Sequence, residues 1–181
     1  MLFRSVHVVY VDNDPMVLAH GRALLCEADT ATVIQADVRN PEELFDAPEV
    51  RQFIDFDQPV AVLMFGILHH VADDEDPEGL AAVYRSKLSS GSYLAISHFC
   101  DPGERAPEAS EKARQVEKIF NESFGTGRWR TYDEVRSYFG DMELLEPGLV
   151  PIAEWRPEPG EARPEQTYTY HTLIGGVARK P

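Results

Sequence analysis

The stretch that most constrains how this chain can fold is residues 6–15, VHVVYVDNDP, an apolar segment that runs directly into an acidic turn. Four valines with few polar residues between them are typical of a strand covered on both faces in a parallel sheet. Asp14 followed by Pro15 predicts a helix start, because Asp supplies a capping oxygen and proline suits the first helical position. Asp12 therefore lies just past the carboxyl end of a strand, where ligands bind in open α/β sheets.

Two interpretations of this acidic turn are open. A carboxylate at Asp12 can accept hydrogen bonds from the two vicinal hydroxyls of a ribose. Alternatively, Asp12 and Asn13 only cap the turn, because a strand followed by an aspartate turn is common in α/β folds.

Composition narrows the class of protein. The chain has 181 residues, of which 43% are hydrophobic, and this predicts one globular domain over residues 1–181. The formal net charge of -14 argues against a nucleic-acid partner, because phosphates require basic patches. No apolar run approaches the roughly 20 residues that cross a membrane, and we see no signal peptide. Cys26 and Cys100 lack metal-ligand or redox spacing, so we expect reduced thiols and a cytoplasmic location.

The first half of the chain alternates between two kinds of segment. Strands are predicted over residues 6–12, 31–36, 59–65 and 92–97, and helices over 15–27, from 41, from 48 and over 77–88. This alternation indicates parallel βαβ units, and so an α/β fold with a doubly wound, mostly parallel sheet. The third strand is apolar throughout, which favours a central position.

The second half changes character. The pattern predicts helices over residues 107–124 and 131–140, a strand over 142–145, and a long Pro-rich loop with a short strand near 152–155. Alternating β-formers then predict a closing strand over 168–178. Because loop rather than helix joins the last strands, we expect an antiparallel hairpin at the C-terminal edge of the sheet.

Three successive strand ends carry residues suited to a nucleoside: Asp12, Asp37 and Gly66. In a doubly wound sheet they face one crevice. The carboxylate of Asp37 can accept a hydrogen bond from an exocyclic amine, with Val38 against a purine face. A glycine at position 66 lets a ligand approach the backbone. Together these ends predict an adenosine site.

On these residues the sequence resembles class I S-adenosylmethionine-dependent methyltransferases, and more narrowly a bacterial family of them once catalogued only as a domain of unknown function. The matching segments are residues 8–20, 36–37, 55–63 with 68–70, 91–98 and 146–151. The resemblance implies a Rossmann-like sheet and S-adenosylmethionine as cofactor.

The same resemblance implies roles for individual residues. Asp12, with Asn13 beside it, binds the cofactor ribose. Asp37 and Val38 hold the adenine, and residues 65–66 (Phe65 and Gly66) lie beside the methionine portion.

The chain also departs from the family pattern. Such proteins carry a glycine-rich loop after a first strand, but only eleven residues precede Asp12 here and none forms that loop. We therefore expect an N-terminally truncated methyltransferase domain whose first strand is missing. Either the strands at 6–12 and 59–65 then pair directly, or another chain fills the gap in a homo-oligomer.

Several residues are candidates for chemistry at the methyl acceptor. His70 could act as general base, since imidazole titrates near neutrality, or it could only pack in its loop. A metal site at His69 and His70 with the acidic run 73–76 is disfavoured, because adjacent histidines rarely bind one ion. His98 either faces the acceptor or is a polar strand end. Residues 128–130, RWR, either clamp an acidic or aromatic substrate or form a surface loop.

We therefore expect a methyltransferase that transfers a methyl group from S-adenosylmethionine to an unidentified small molecule by direct displacement. The alternative is a non-catalytic remnant that binds nucleoside weakly or serves as a dimerisation module, which the missing glycine loop favours. A dehydrogenase is disfavoured because the nicotinamide glycine fingerprint is absent.

Overall fold

The computed structural model describes residues 6–25, 30–160 and 167–181. The chain divides into two compact units, Met1–Val60 and Ala61–Pro181, and each is described by itself. A single domain over the whole chain stays a prediction. The last two residues predicted for the first helix, Cys26 and Glu27, lie outside the described residues.

The N-terminal unit is built from two strands and three helices. These are β1 (Val8–Asp12), α1 (Pro15–Leu25), β2 (Ala31–Gln35), α2 (Pro41–Asp46) and α3 (Pro48–Phe53). Each helix begins with a proline, as the sequence predicts, because proline lacks the N–H that would be unsatisfied there. β1 and β2 pair in parallel with Asp12 opposite Gln35, which confirms the first βαβ unit.

The C-terminal unit contains the remaining elements, in the order β3 (Ala61–Phe65), α4 (Pro77–Ser86), β4 (Tyr93–Phe99), α5 (Pro107–Phe124), α6 (Tyr132–Ser137), β5 (Glu143–Leu144), β6 (Val150–Pro151), α7 (Tyr168–Thr172) and β7 (Leu173–Arg179). Short 3₁₀ helices span Leu68–His70, Asp73–Glu75, Gly103–Arg105 and Ile152–Glu154. The sheet order is β3-β4-β7-β5, and β6 also pairs with β7. The fold is mixed α/β.

The antiparallel pair predicted at the C-terminal edge of the sheet is confirmed, because the terminal strand β5 pairs antiparallel with β7. β7 runs antiparallel to β4 on one side and to β5 and β6 on the other. Its glycines permit this close packing: a Cβ at Gly175 would lie 3.2 Å from the Ile96 carbonyl oxygen, and one at Gly176 would lie 3.3 Å from that of Gly148. Ile174 and Ala178 of β7 are fully buried.

The central position predicted for the third strand is wrong within the described sheet. β3 is the terminal strand and pairs only with β4, and Leu63 and Phe65 are 62% and 63% exposed. The expected direct pairing of the strands at 6–12 and 59–65 is also wrong, because β1 and β3 belong to different sheets. An apolar run indicates a preference for burial but does not specify which strand pairs with it.

Two local predictions near the C-terminus are wrong. Residues 168–172 form helix α7 and not a strand, because the Thr167 hydroxyl accepts the Tyr170 N–H and caps a helical turn. The short strand expected at 152–155 instead lies at 150–151 and is followed by a 3₁₀ turn. Within the three described ranges, no helix is both long and apolar enough to cross a membrane.

Candidate functional site

The turn after β1 is held by its own aspartates. Asp12 Oδ1 accepts the Asp14 N–H at 2.9 Å, and Asp14 Oδ1 accepts the Met16 N–H at 2.7 Å. Asp14 is therefore the cap that the sequence predicts for α1. Asp12 caps the turn through one oxygen, and a carboxylate has further lone pairs with which to accept a ligand. The two interpretations of Asp12 are thus compatible.

The turn after β2 carries the second predicted acid. Asp37 Oδ1 accepts the backbone N–H of Arg39 at 2.9 Å and its Nη1 at 3.2 Å. The backbone hydrogen bond, the Arg39 guanidinium and a hydrogen bond with the Asn13 side chain hold the pKa of Asp37 below its ordinary value, against a smaller effect of burial. Asp37 is therefore ionised at neutral pH and accepts hydrogen bonds.

The two turns lie side by side at the carboxyl ends of β1 and β2. The side chain of Gln35 donates to the Asn13 carbonyl at 3.2 Å, and the Ala36 N–H donates to the Asp12 carbonyl at 3.2 Å. The structure thus brings Asp12, Asn13 and Asp37 together, with half-buried Val38 next in the chain. Their binding role stays a prediction.

The predicted residues after β3 belong to the C-terminal unit. Gly66 has φ +64°, a left-handed conformation that favours glycine, and its N–H donates to the Ser97 carbonyl at 3.1 Å. A Cβ at this position would lie 3.5 Å from the His69 ring. Phe65 exposes most of its side chain. The backbone here opens into the loop that carries both histidines.

The ring of His70 is held in one tautomer. Its Nδ1 lies 2.9 Å from the Thr126 carbonyl oxygen. A carbonyl only accepts hydrogen bonds, so Nδ1 carries the proton and the lone pair of the neutral ring is on Nε2. The ring centroid is 5.9 Å from that of Phe120. A general base needs this arrangement: an oriented ring with its basic nitrogen defined.

The neighbouring His69 is a packed, neutral side chain. It is buried and stacks on Phe99 with centroids 4.1 Å apart. Burial, together with the electrostatic effect of the neighbouring His70, His98 and Arg130 side chains, lowers its pKa to about 3. The part of the chain that the structure describes contains no cluster of three or more His, Cys, Asp or Glu side chains that could hold a metal ion.

His98 at the end of β4 is fully buried and fills an internal role. Its Nδ1 donates to the Phe99 carbonyl at 2.6 Å, and Arg130 Nη1 donates to its Nε2 at 3.5 Å. Burial lowers the pKa of His98 to about 4, so the ring is neutral. Of the two interpretations, the geometry favours a structural strand-end residue.

Arg130 is the residue whose role the sequence did not indicate. Its guanidinium donates to the carbonyls of Leu68 at 3.3 Å and Val71 at 2.8 Å, and to the Asp73 carboxylate at 2.8 Å. It is buried, whereas Arg128, which also pairs with Asp73 and with Glu117, is part-exposed. Both arginines therefore form ion pairs within the chain, and the hydrogen bonds of Arg130 to Leu68 and Val71 stabilise the loop that carries His70.

Comparison with known proteins identifies the family. The model of a family described as S-adenosyl methyltransferase matches residues 4–181. The crystal structure of a candidate methyltransferase from Thermobifida fusca YX matches with a TM-score of 0.86 at 39% identity, over 96% of this chain and 63% of that one. A DUF574 family protein from Streptomyces avermitilis MA-4680 gives a TM-score of 0.86 at 34% identity, over 99% and 67%. This chain thus spans about two thirds of the length of each.

A more distant structure shares the fold. The N-methyltransferase NodS from Bradyrhizobium japonicum WM9, in complex with S-adenosylhomocysteine, matches with a TM-score of 0.56 at 11% identity, over 97% of this chain and 67% of that one. No curated protein matches the chain. The match over nearly the whole sequence and the close structural agreement establish that this chain belongs to the S-adenosyl methyltransferase family, whose class I α/β fold it has and whose cofactor is S-adenosylmethionine.

Proposed function

We propose that the chain acts in an S-adenosylmethionine-dependent methyltransferase that methylates a small molecule. The observation that carries this proposal is the pair of carboxylates at the adjacent carboxyl ends of β1 and β2, Asp12 and Asp37, with the Asn13 side chain hydrogen-bonded to Asp37. Ligands of open α/β sheets bind at such strand ends. The family match supports the identity of the cofactor.

The residues present fit the adenosine part of this cofactor. Ribose hydroxyls and the adenine amino group donate hydrogen bonds, and the two carboxylates accept them. Asp12 would hold the ribose and Asp37 the adenine amine, with Val38 against the purine. That residues 65–66 lie beside the methionine portion is implied by the resemblance and stays a prediction.

Methyl transfer requires few further catalytic groups from the protein. The bound cofactor supplies a methyl group already activated on a sulfonium, so positioning and exclusion of water carry much of the rate. His70 would accept the proton of the acceptor at Nε2, since Nδ1 is committed to the Thr126 carbonyl. The buried free thiol of Cys100 supports a reducing, cytoplasmic setting. A homo-oligomer and the lack of a nucleic-acid partner stay predictions.

Calorimetry with S-adenosylhomocysteine tests the proposal. Asp12→Ala should weaken binding by about 1–3 kcal/mol, roughly 5- to 150-fold, which is the scale of losing hydrogen bonds to a charged acceptor. Asp55→Ala is the matched control, because Asp55 Oδ1 also accepts the N–H two residues ahead, at 3.0 Å, in the same unit.

Two results would contradict the proposal. One is the absence of heat from the folded wild-type chain at millimolar ligand, which would favour the non-catalytic remnant. The other is an equal loss of affinity in the Asp12 and Asp55 variants, which would assign the effect to turn stability.

A further inference from the structure

Strand β3 forms one edge of the sheet in the C-terminal unit, and among the described residues no strand pairs with its outer side. Such an edge presents a row of N–H and C=O groups that can pair with another chain. Proteins usually protect an exposed edge with charged side chains, proline or a bulge. Residues Ala61–Phe65 pair with β4 in an unbroken register and include no charged residue and no proline. This edge therefore lacks the usual protection.

The chain around β3 is also uncharged. Residues 58–72 contain no Asp, Glu, Lys or Arg, and this is the longest such run in the sequence. In the chain as a whole 27% of residues are charged, and the formal net charge is -14. Two copies of the chain therefore repel each other on average. An uncharged edge is a surface on which they can approach closely.

The exposed side chains of β3 lie on one face of the strand. Side chains alternate between the two faces, so Ala61, Leu63 and Phe65 share a face. All three are exposed, Leu63 by 62% and Phe65 by 63%. On the opposite face, Met64 is buried. The exposed face of the edge thus carries two large apolar side chains and one small one.

The outward backbone groups belong to the same three residues. The Gly66 N–H donates to the Ser97 carbonyl of β4. Along a strand, the N–H and C=O groups of successive residues point to opposite edges. Those of residues 61, 63 and 65 therefore point away from β4. Backbone direction and side-chain exposure independently identify the same positions as open.

An antiparallel second copy of β3 fits this pattern when a twofold axis passes beside Leu63. Leu63 then lies opposite Leu63 of the second copy, and each Phe65 lies opposite an Ala61. In every one of these pairs the outward N–H and C=O groups can form the two hydrogen bonds of an antiparallel ladder. A large ring at Phe65 faces a small side chain at Ala61, so the pairs do not clash. The edge is self-complementary, as a twofold interface requires.

We propose that β3 is a dimerisation edge, at which a second copy of this chain pairs antiparallel about a twofold axis beside Leu63. The pairing extends the sheet of one C-terminal unit into that of the other. Five residues from each copy form a small interface compared with the roughly 800 Å² per partner of stable complexes. The dimer therefore forms reversibly and depends on protein concentration. This inference goes beyond the proposed function and does not depend on it.

Sedimentation velocity of the full chain over a concentration series tests the dimer. The wild-type chain should change from monomer to dimer as its concentration rises into the millimolar range. Leu63→Lys places two like charges directly opposite each other, so this variant should stay monomeric. Leu24→Lys is the matched control, because Leu24 is 75% exposed on α1 and lies outside the edge. It should dimerise as the wild type does. Circular dichroism verifies that both variants are folded.

Disulfide cross-linking in a Cys26→Ser background tests the register. The Cα atoms of a hydrogen-bonded antiparallel pair lie about 5.5 Å apart, within the span of a disulfide. Leu63→Cys should therefore give a covalent dimer on mild oxidation. Phe65→Cys replaces an equally exposed residue, but its two copies are offset by four residues, about 13 Å, and should not cross-link. Cys100 is fully buried and does not contribute.

Three results would overturn the proposal. A chain that stays monomeric into the millimolar range would leave this edge to a strand of different sequence. A folded Leu63→Lys variant that dimerises like the wild type would place the interface elsewhere. Cross-linking of Phe65→Cys as efficient as that of Leu63→Cys, or species larger than a dimer, would refute the closed twofold pairing.

Discussion

Replacing Arg130 with methionine should destabilise the C-terminal unit far more than the same change at Arg128. Both arginines pair with Asp73, so the two substitutions remove the same type of charge from the same carboxylate. They differ in burial: the Arg130 side chain is 5% exposed and the Arg128 side chain 44%. Methionine keeps most of the side-chain length and removes every donor.

The size of the effect follows from the partners left behind. Without Arg130, the carbonyls of Leu68 and Val71, in two fully buried residues, lose its donated hydrogen bonds. The Leu68 carbonyl keeps the Val71 N–H at 3.1 Å, so the loss of its bond to the charged guanidinium costs about 1.5–3 kcal/mol, and the orphaned Val71 carbonyl costs about 1–3 kcal/mol. Asp73 is 59% exposed and regains water, so it adds little. The total is about 2.5–6 kcal/mol, a large part of the roughly 5–15 kcal/mol that stabilises a typical domain.

Urea unfolding at pH 7 measures the difference. Arg130→Met should lower the midpoint without changing the slope, because the surface exposed on unfolding stays the same. Arg128→Met should cost less than about 1 kcal/mol, as exposed ion pairs do. If the two variants lost equal stability, or if Arg130→Met cost less than about 1 kcal/mol, the claim that Arg130 anchors the 68–73 loop would be wrong.

Two further predictions concern the buried histidines and the start of α6. Since the pKa of His69 is about 3 and that of His98 about 4 in the folded chain, the unfolded chain binds two more protons once the pH falls below about 6.5. Histidine-linked stability should therefore be constant above that pH and decrease towards pH 4 by up to about 2.7 kcal/mol per pH unit. His69→Phe should halve this slope in urea titrations at several pH values. Thr131→Ala should cost about 1 kcal/mol in thermal unfolding, because Thr131 and Glu134 form a capping box at 3.3 and 2.8 Å. Thr131→Ser keeps the hydroxyl and should cost less, and equal losses would refute the cap.

Local signals predicted much of the fold. α5 spans residues 107–124 in both the prediction and the structure, and the helix predicted from residue 131 is present as α6, with Thr131 as its N-cap. The strand–turn–helix at 8–25 also follows from residues adjacent in sequence. Caps, turns and periodicity depend on neighbours a few positions apart, so the chain itself carries this information.

Other features depend on distant partners. The alternating β-formers at residues 168–172 predict a strand, but these residues form a short helix that the Thr167 hydroxyl caps. Arg128 and Arg130 stand two residues apart with the same chemistry, and only packing decides that one is buried while the other is exposed. The tautomer of His70 likewise depends on a carbonyl 56 positions away.

The sequence by itself determined the family, the βαβ order and the acidic turns, because these depend on short motifs and on the alternation of apolar segments. Tertiary structure alone decided which strands β7 pairs with, which arginine anchors the histidine loop, and that aromatic side chains from β4, α5 and the loop after α5 pack against one another. The physical reason is that side chains far apart in sequence become neighbours only after the strands have paired in their final order and the helices have packed against the sheet.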